Sequence, residues 1–116
     1  MTEQEMIEKL NLAVLTKRKD FNQETPSGGY ASDLLSCVMA GAQRQAVWIT
    51  LQAHINIVAV AALLDLSAII ITEGAMPDPE TIAKANEENV TLLSTDKPTF
   101  YVIGRLWELG MRNGRQ

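Results

Sequence analysis

The sequence contains few of the residues that metal sites and disulfides require. It has one cysteine, Cys37, and one histidine, His54, among 116 residues. A single cysteine excludes an internal disulfide and suits a reducing compartment, while structural zinc sites take several cysteine or histidine ligands. A reactive thiol needs a positive neighbour, and the sequence gives no reason to place one beside Cys37. We therefore predict no metal site and no catalytic cysteine, with Cys37 packed as a small residue.

The motifs of several enzyme classes are also missing. The chain has no glycine-rich P-loop ending in Gly-Lys-Ser or Gly-Lys-Thr, no GxGxxG dinucleotide fingerprint, no GxSxG nucleophile elbow, and no HExxH or CxxC pair. These absences exclude the usual forms of nucleotide hydrolase, dinucleotide-dependent enzyme, serine hydrolase and zinc enzyme. The sequence therefore predicts a protein that is not an enzyme and has no resident cofactor.

Positive charge is scarce as well. The formal net charge is −4 and the isoelectric point is about 4.9, so the chain lacks the positive field that nucleic acid requires. Its basic run at residues 17–19 is predicted to be a solvated loop, with a phosphate contact as the alternative. The longest apolar stretch, residues 55–71, is interrupted by Asn56, Asp65 and Ser67, so we predict no membrane span. The first residues do not resemble a signal peptide, and we expect a cytoplasmic protein.

The chain does have enough apolar sequence for one core. Apolar residues make up 47% and charged residues 21%, as in ordinary globular domains. Apolar runs predict strands at 12–16, 46–50, 68–72 and 90–94, with a brief strand at 30–31 and helices between them. This order predicts a single three-layer α/β domain over residues 1–110, with a mainly parallel sheet of about four to five strands and helices on both faces. We expect residues 111–116 to form a frayed C-terminal tail.

Two of the predicted helices are unusually apolar. The helix at 54–65 is apolar almost all round, so it needs cover from its own sheet and from something else, for which a second subunit is a candidate. The last helix, at about 97–109, has an apolar face that consists of Phe100, Val102, Ile103, Leu106, Trp107 and Leu109.

Polar residues follow each of the main predicted parallel strands. Ligands of open parallel sheets collect outside the carboxyl ends of the strands, so we predict a binding site there. The candidates at these strand ends are Thr50, Gln52, His54, Asn56, Thr72, Glu73, Gly74, Ser94 and Thr95. The alternative is that these residues only cap helices and close turns.

A further candidate is the loop before the brief strand. Gly28 and Gly29 can take positive φ, Ser27 offers a hydroxyl, and Asp33 follows closely. This loop either makes a tight turn with close backbone approach or cradles an anion, and the two interpretations are compatible. The loop would join the strand-end residues if it lay over the same edge of the sheet.

His54 has three interpretations. The start of the 54–65 helix favours an anion, which Thr50 and His54 are placed to bond. His54 could instead only pack at the helix start. It could also act as a general base, for which Glu73 is a candidate partner.

Three segments resemble the DRTGG domain family: TPSGGYASDLLS at 25–36, VWITLQAHINIVAVAALLDLSAIIITEG at 47–74, and LLSTDKPTF at 92–100. The resemblance covers about residues 3–110. Its name-giving motif corresponds to residues 25–29, where Thr, Pro and Ser replace Asp, Arg and Thr and both glycines remain. The missing arginine removes a fixed positive fork, which weakens the case for an anion at this loop.

The resemblance implies a regulatory position rather than an active centre. DRTGG domains lie between CBS domains in some inorganic pyrophosphatases and ahead of the catalytic part of some phosphate acetyltransferases, and a similar domain precedes the kinase part of HPr kinase/phosphorylase. Our leading hypothesis is a non-catalytic module that binds a small anionic ligand such as an adenine nucleotide, or a partner enzyme, and forms a homodimer.

Two other hypotheses remain open. The first is a purely structural or interaction protein, in which the helices at 54–65 and 97–109 form a homodimer face without a small ligand. The second, ranked last, is a small enzyme that uses His54 and Glu73.

Overall fold

A five-stranded sheet runs through the middle of the computed structural model, which describes residues 1–114. The strands are β1 (Ala13–Val14), β2 (Gly29–Ala31), β3 (Val47–Thr50), β4 (Ala68–Ile71) and β5 (Leu92–Ser94). The helices are α1 (Glu3–Leu10), α2 (Leu35–Gly41), α3 (Asn56–Leu64), α4 (Pro79–Glu87) and α5 (Thr99–Glu108). The strand order is β1-β5-β4-β3-β2, with β2 to β5 parallel and the short β1 antiparallel to β5.

Helices cover both faces of this sheet. Every residue of β3 and β4 is buried, as expected for parallel strands covered on both sides. Successive parallel strands are neighbours and advance in one direction, so right-handed crossovers place α2, α3 and α4 on the same face. Trp48 and Ile69 pack in the core beneath these three helices, whereas Ile49 and Ile70 pack in the core formed with α1 and α5. The predicted three-layer α/β fold with a mainly parallel sheet is confirmed.

Two helix starts are fixed by side-chain caps. The Thr2 hydroxyl accepts a hydrogen bond from the N–H of Glu5, and the Glu5 carboxylate accepts one from the N–H of Thr2, which completes a capping box at α1. Asp78 caps α4 by accepting from the N–H of Thr81, with Pro79 in the first turn.

The prediction that Cys37 is packed is wrong. Cys37 lies in α2 and its thiol is exposed and free. Of the seven residues of this helix only Val38 is buried, because the helix touches the rest of the domain along a narrow line.

The predicted apolar face of the last helix is also wrong in part. Val102 and Leu106 are buried against α1 and the sheet, as predicted, and Leu109 is partly buried. Phe100, Ile103 and Trp107 face outward instead, with 91%, 38% and 58% of their surfaces exposed. The apolar arc of α5 is wider than a single contact with the sheet can cover.

A buried carboxylate links the first helix to the sheet. Glu3 is 1% exposed, and its Oε2 accepts a hydrogen bond of 2.6 Å from the Ser67 hydroxyl. Its other oxygen, Oε1, has no hydrogen-bond partner, and the Lys19 ammonium lies 3.8 Å from it. Burial raises the pKa of the Glu3 carboxyl above its ordinary value of 4.5, while the Ser67 hydrogen bond and Lys19 act in the opposite direction.

We expect Glu3→Gln to change the pH dependence of stability. Because the folded-state pKa of Glu3 is raised, the stabilising contribution of this group is full below about pH 4.5 and is lost as the pH rises through the folded-state pKa. We therefore expect the unfolding free energy of Glu3→Gln to increase relative to that of the wild type as the pH rises. Urea titrations of both proteins from about pH 3 to about pH 8 measure this difference.

Glu5 on the same helix provides the matched control. Hydrogen bonds from Thr2 lower the pKa of Glu5, so its contribution is present above about pH 4.5 and is lost as the pH falls. Glu5→Gln should therefore lose stability relative to the wild type on the high-pH side. Parallel curves for Glu3→Gln and the wild type would show that Glu3 does not titrate as a buried acid.

Candidate functional site

The carboxyl ends of the four parallel strands lie along one edge of the sheet. We call this edge, together with the turn that leads into α3, the rim. Ten of the predicted site residues lie on it: Asp33, Thr50, Gln52, His54, Asn56, Thr72, Glu73, Gly74, Ser94 and Thr95.

Backbone hydrogen bonds tie the turns of the rim to one another. The N–H of Thr72 donates to the carbonyl of Thr50 at 2.9 Å, and the N–H of Thr95 donates to the carbonyl of Ile71 at 3.0 Å. The N–H of Gly74 in turn donates to the carbonyl of Thr95 at 3.1 Å. The turns after β3, β4 and β5 therefore form one connected surface, as the sequence predicted for residues at these strand ends.

Asp33 organises the turn after β3. Its Oδ1 accepts hydrogen bonds from the Thr50 hydroxyl at 2.7 Å and from the N–H of Leu51 at 2.9 Å. The side-chain amide of Gln52 donates to the backbone carbonyl of Asp33 at 3.0 Å. Asp33, Thr50 and Gln52 thus satisfy one another and hold the turn after β3 in place, which leaves few of their polar groups for a ligand.

Glu73 is used in a similar way at the turn after β4. Its Oε2 accepts a hydrogen bond of 2.8 Å from the N–H of Thr99, the first residue of α5. Pro98, at the N-cap position of that helix, makes no side-chain cap, so Glu73 supplies the missing acceptor from a different element. The hydroxyls of Thr72 and Thr99 also hydrogen-bond to each other at 2.5 Å.

His54 and Asn56 are the exposed polar side chains at the start of α3. The Nδ1 atom of His54 accepts a hydrogen bond of 3.2 Å from the N–H of Asn56, so a neutral imidazole carries its proton on Nε2, facing away from this bond. Hydrogen bonds from Thr81 lower the pKa of the Asp78 carboxyl, and His54 acts in the same direction.

His54 and Glu73 do not form a hydrogen-bonded pair in the described part of the chain. The Glu73 carboxylate is held by the start of α5. The ammonium of Lys97 lies 5.7 Å from the centre of the Tyr101 ring, which gives the β5 end a cation beside an aromatic face. Within the described part of the chain, no group of three or more acidic, histidine or cysteine side chains could hold a metal ion.

The Gly28-Gly29 loop lies at the opposite edge, where β2 and β3 begin. The carbonyl of Gly28 accepts from the N–H of Val47 at 2.8 Å, and the Ser27 hydroxyl donates to the carbonyl of Arg44 at 2.7 Å. The loop therefore does not join the rim, and Ser27, Gly28 and Gly29 form a separate candidate element.

The two glycines receive the C-terminal segment of the chain. The N–H of Gly29 donates to the carbonyl of Arg112 at 2.7 Å, and a Cβ atom at Gly28 would lie 2.6 Å from that carbonyl oxygen. The Arg112 guanidinium stacks on the Trp107 ring at 3.9 Å. The prediction that the tail frays is therefore wrong for Met111 and Arg112, and positions 115–116 lie outside the described residues. The structure contains the close backbone approach at this loop, and anion cradling stays a prediction.

Sequence reasoning missed the contribution of α5 to the rim. Thr99 and Lys97 were not among the predicted residues, although Thr99 bonds to both Thr72 and Glu73. Pro98 was the available signal, because proline is favoured near the start of a helix and Pro98 follows β5 closely in the sequence.

Two searches, one within the described residues and one with the whole sequence, found nothing. None of the helices among residues 1–114 is long and apolar enough to cross a membrane. No curated protein sequence matches the chain.

Among solved structures, the chain is similar to the CBS and DRTGG domains of the regulatory region of Clostridium perfringens pyrophosphatase, complexed with the activator diadenosine tetraphosphate. The TM-score is 0.69 at 18% sequence identity, and the match covers 97% of this chain and 48% of that chain. At this identity the likeness concerns the fold.

A family model gives a further comparison. The model of the DRTGG domain matches residues 34–109, which are most of the chain. The match begins after residues 25–29, so the proposed correspondence of those residues with the name-giving motif lies outside it. With β3 to β5 and the rim residues Thr50 to Thr95 all inside the matched range, the chain belongs to the DRTGG domain family.

Proposed function

We propose that this chain is a non-catalytic regulatory module that binds a small anionic ligand of the adenine nucleotide class at the rim. The observation that carries the proposal is the rim itself, where exposed polar side chains remain around turns that are already fixed by hydrogen bonds. A preformed surface of this kind loses little conformational entropy when a ligand binds.

The groups left over on the rim suit a nucleotide. His54 Nε2 and the side-chain amide of Asn56 are donors at the start of α3, where the helix dipole favours negative charge. Lys97 and Tyr101 offer a cation and an aromatic face at the β5 end. The first group follows β3 and the second follows β5, and only β4 lies between these two strands in the sheet.

The comparisons support the same class of ligand. The regulatory region of the similar pyrophosphatase holds diadenosine tetraphosphate, an activator that contains adenine and phosphate groups. We propose that this chain transmits the effect of ligand binding to a partner enzyme. We also propose that it works in the cytoplasm, which the free thiol of Cys37 supports.

A second proposed property is self-association as a homodimer. The observation that favours it is the outward face of α5, where Phe100 and Trp107 are 91% and 58% exposed. Large apolar side chains grouped on one helix face are typical of interfaces.

Binding of nucleotides tests the first proposal. We expect isothermal titration calorimetry to show binding of ATP, AMP or diadenosine tetraphosphate, and Asn56→Ala and His54→Ala to weaken it about tenfold each, since each removes one hydrogen bond to a charged ligand.

Asn22→Ala is the matched control for Asn56→Ala. Asn22 is also an exposed asparagine, and it lies in the loop between β1 and β2, away from the rim. It should leave the affinity unchanged. Background heats for all three nucleotides and for inorganic phosphate would refute the ligand proposal.

Glu73→Ala separates a structural role of this carboxylate from a catalytic one. Glu73 accepts a hydrogen bond from the N–H of Thr99. We therefore expect Glu73→Ala to reduce the free energy of unfolding by about 1 kcal/mol, as the removal of other helix caps does.

Glu73→Gln retains an acceptor oxygen and should recover part of this stability in urea titrations. The exposed Glu80→Ala in α4 serves as the comparison. A Glu73→Ala protein as stable as the wild type would show that the cap contributes nothing, and would reopen a catalytic role for this residue.

A further inference from the structure

The outward face of α5 contains a glycine at its centre. We call Phe100, Ile103, Gly104 and Trp107 the outer stripe, since they occur at i, i+3, i+4 and i+7 of one helix. A Cβ atom built at Gly104 would have no atom within 4 Å, so nothing in the chain itself requires a glycine there. Glycine inside a helix weakens it relative to alanine, and the helix gains nothing from Gly104 unless another backbone approaches closely.

The spacing of the outer stripe is symmetric. Rotation about a two-fold axis that passes between positions 103 and 104 exchanges Phe100 with Trp107 and Ile103 with Gly104. Two antiparallel copies of α5 crossing at this point would place the large Ile103 of each on the small Gly104 of the other, and would pair Phe100 with Trp107. A glycine at the crossing point lets the axes approach to about 8 Å, at the close end of the usual range.

An apolar cleft lies beside the stripe. It has a volume of about 180 Å³ between α5 and β2, and its lining includes Tyr30, Ile49, Ile103, Trp107 and Met111. Phe100 is the most exposed of the large apolar side chains. In the antiparallel arrangement, Phe100 of each copy reaches the Trp107 end of the other helix, where this cleft opens.

We propose that the outer stripe is the dimer interface of this protein, with a second copy as its occupant and Phe100 of each copy seated in the cleft of the other. This inference rests on the proposed self-association and names its face. The residues at the exchanged positions favour a second copy over an unrelated helix, because the two-fold rotation places the large Ile103 of each copy on the open Gly104 of the other and brings Phe100 to the cleft beside Trp107. Leu63 of α3 is also a large apolar side chain and is 69% exposed. It is not part of this interface, because α3 and α5 lie on opposite faces of the sheet.

Sedimentation equilibrium of the intact chain tests the proposal. The wild type should distribute between the monomer of 12.8 kDa and twice that mass. Phe100→Ser removes the side chain that fills the cleft, and Gly104→Leu blocks the close approach. Each should raise the dimer dissociation constant at least about tenfold. Leucine has the higher helix propensity, so Gly104→Leu should keep or raise the thermal stability of the monomer while it weakens the dimer.

Leu63→Ser is the matched control and should leave the dissociation constant unchanged. If the wild type is dimeric and remains so in both stripe variants, or if only Leu63→Ser dissociates it, then the face is wrong while self-association stands. If the wild type is monomeric at every concentration, then self-association fails and the stripe has no second copy to bind. Circular dichroism of each variant identifies any loss of dimer that results from unfolding.

Discussion

The inner strands of the sheet must be covered on both faces, and the rest of the structure follows from this constraint. β3 and β4 bury every residue, so each face of the sheet needs a layer of helices, and the short crossovers between parallel neighbours supply α2, α3 and α4 to one face only. The other face must be closed by elements from the two ends of the chain, α1 and α5. The domain therefore depends on its termini for half of its core.

Two polar contacts outside the rim attach these end segments to the sheet. The buried Glu3 joins α1 to Ser67 at the start of β4, and the carbonyl of Arg112 accepts the N–H of Gly29 at the edge strand β2. The buried apolar side chains Met6, Ile7 and Leu10 attach α1 to the sheet, and the hydrogen bond between Glu3 and Ser67 fixes the position of its first turn.

The sequence predicted the inner strands of the sheet correctly. Continuous apolar runs located β3, β4 and β5, because such runs suit strands that are buried on both faces. The orientation of α5 could not be predicted, because its apolar residues extend over a wider arc than the sheet covers, and only tertiary packing decides which part is buried.

The rim shows a second limit of sequence reasoning. The strand ends placed Thr50, Thr72 and Thr95 on one edge of the sheet, but they did not indicate Thr99. Periodicity and spacing also do not reveal which of the residues will bond to each other. Asp33 and Glu73 were expected to face a ligand, and they accept N–H groups of Leu51 and Thr99 instead. Residues with long sequence separation form these bonds, and no local pattern marks such pairs. The alternative interpretation, that such residues close turns and cap helices, describes these two residues.

The helix α5 connects the two surfaces for which functions are proposed. Its first residue is held by Glu73 and Thr72 on the rim, and its outward face carries Phe100 one residue later. A ligand that altered the turn after β4 would act on the start of this helix, and the position of the helix sets the geometry of the outer stripe. If both proposals hold, linkage makes the effect reciprocal: a nucleotide that favours association must bind the associated form more tightly by the same factor. A family that places this domain beside other domains could use such coupling without any catalytic residue of its own.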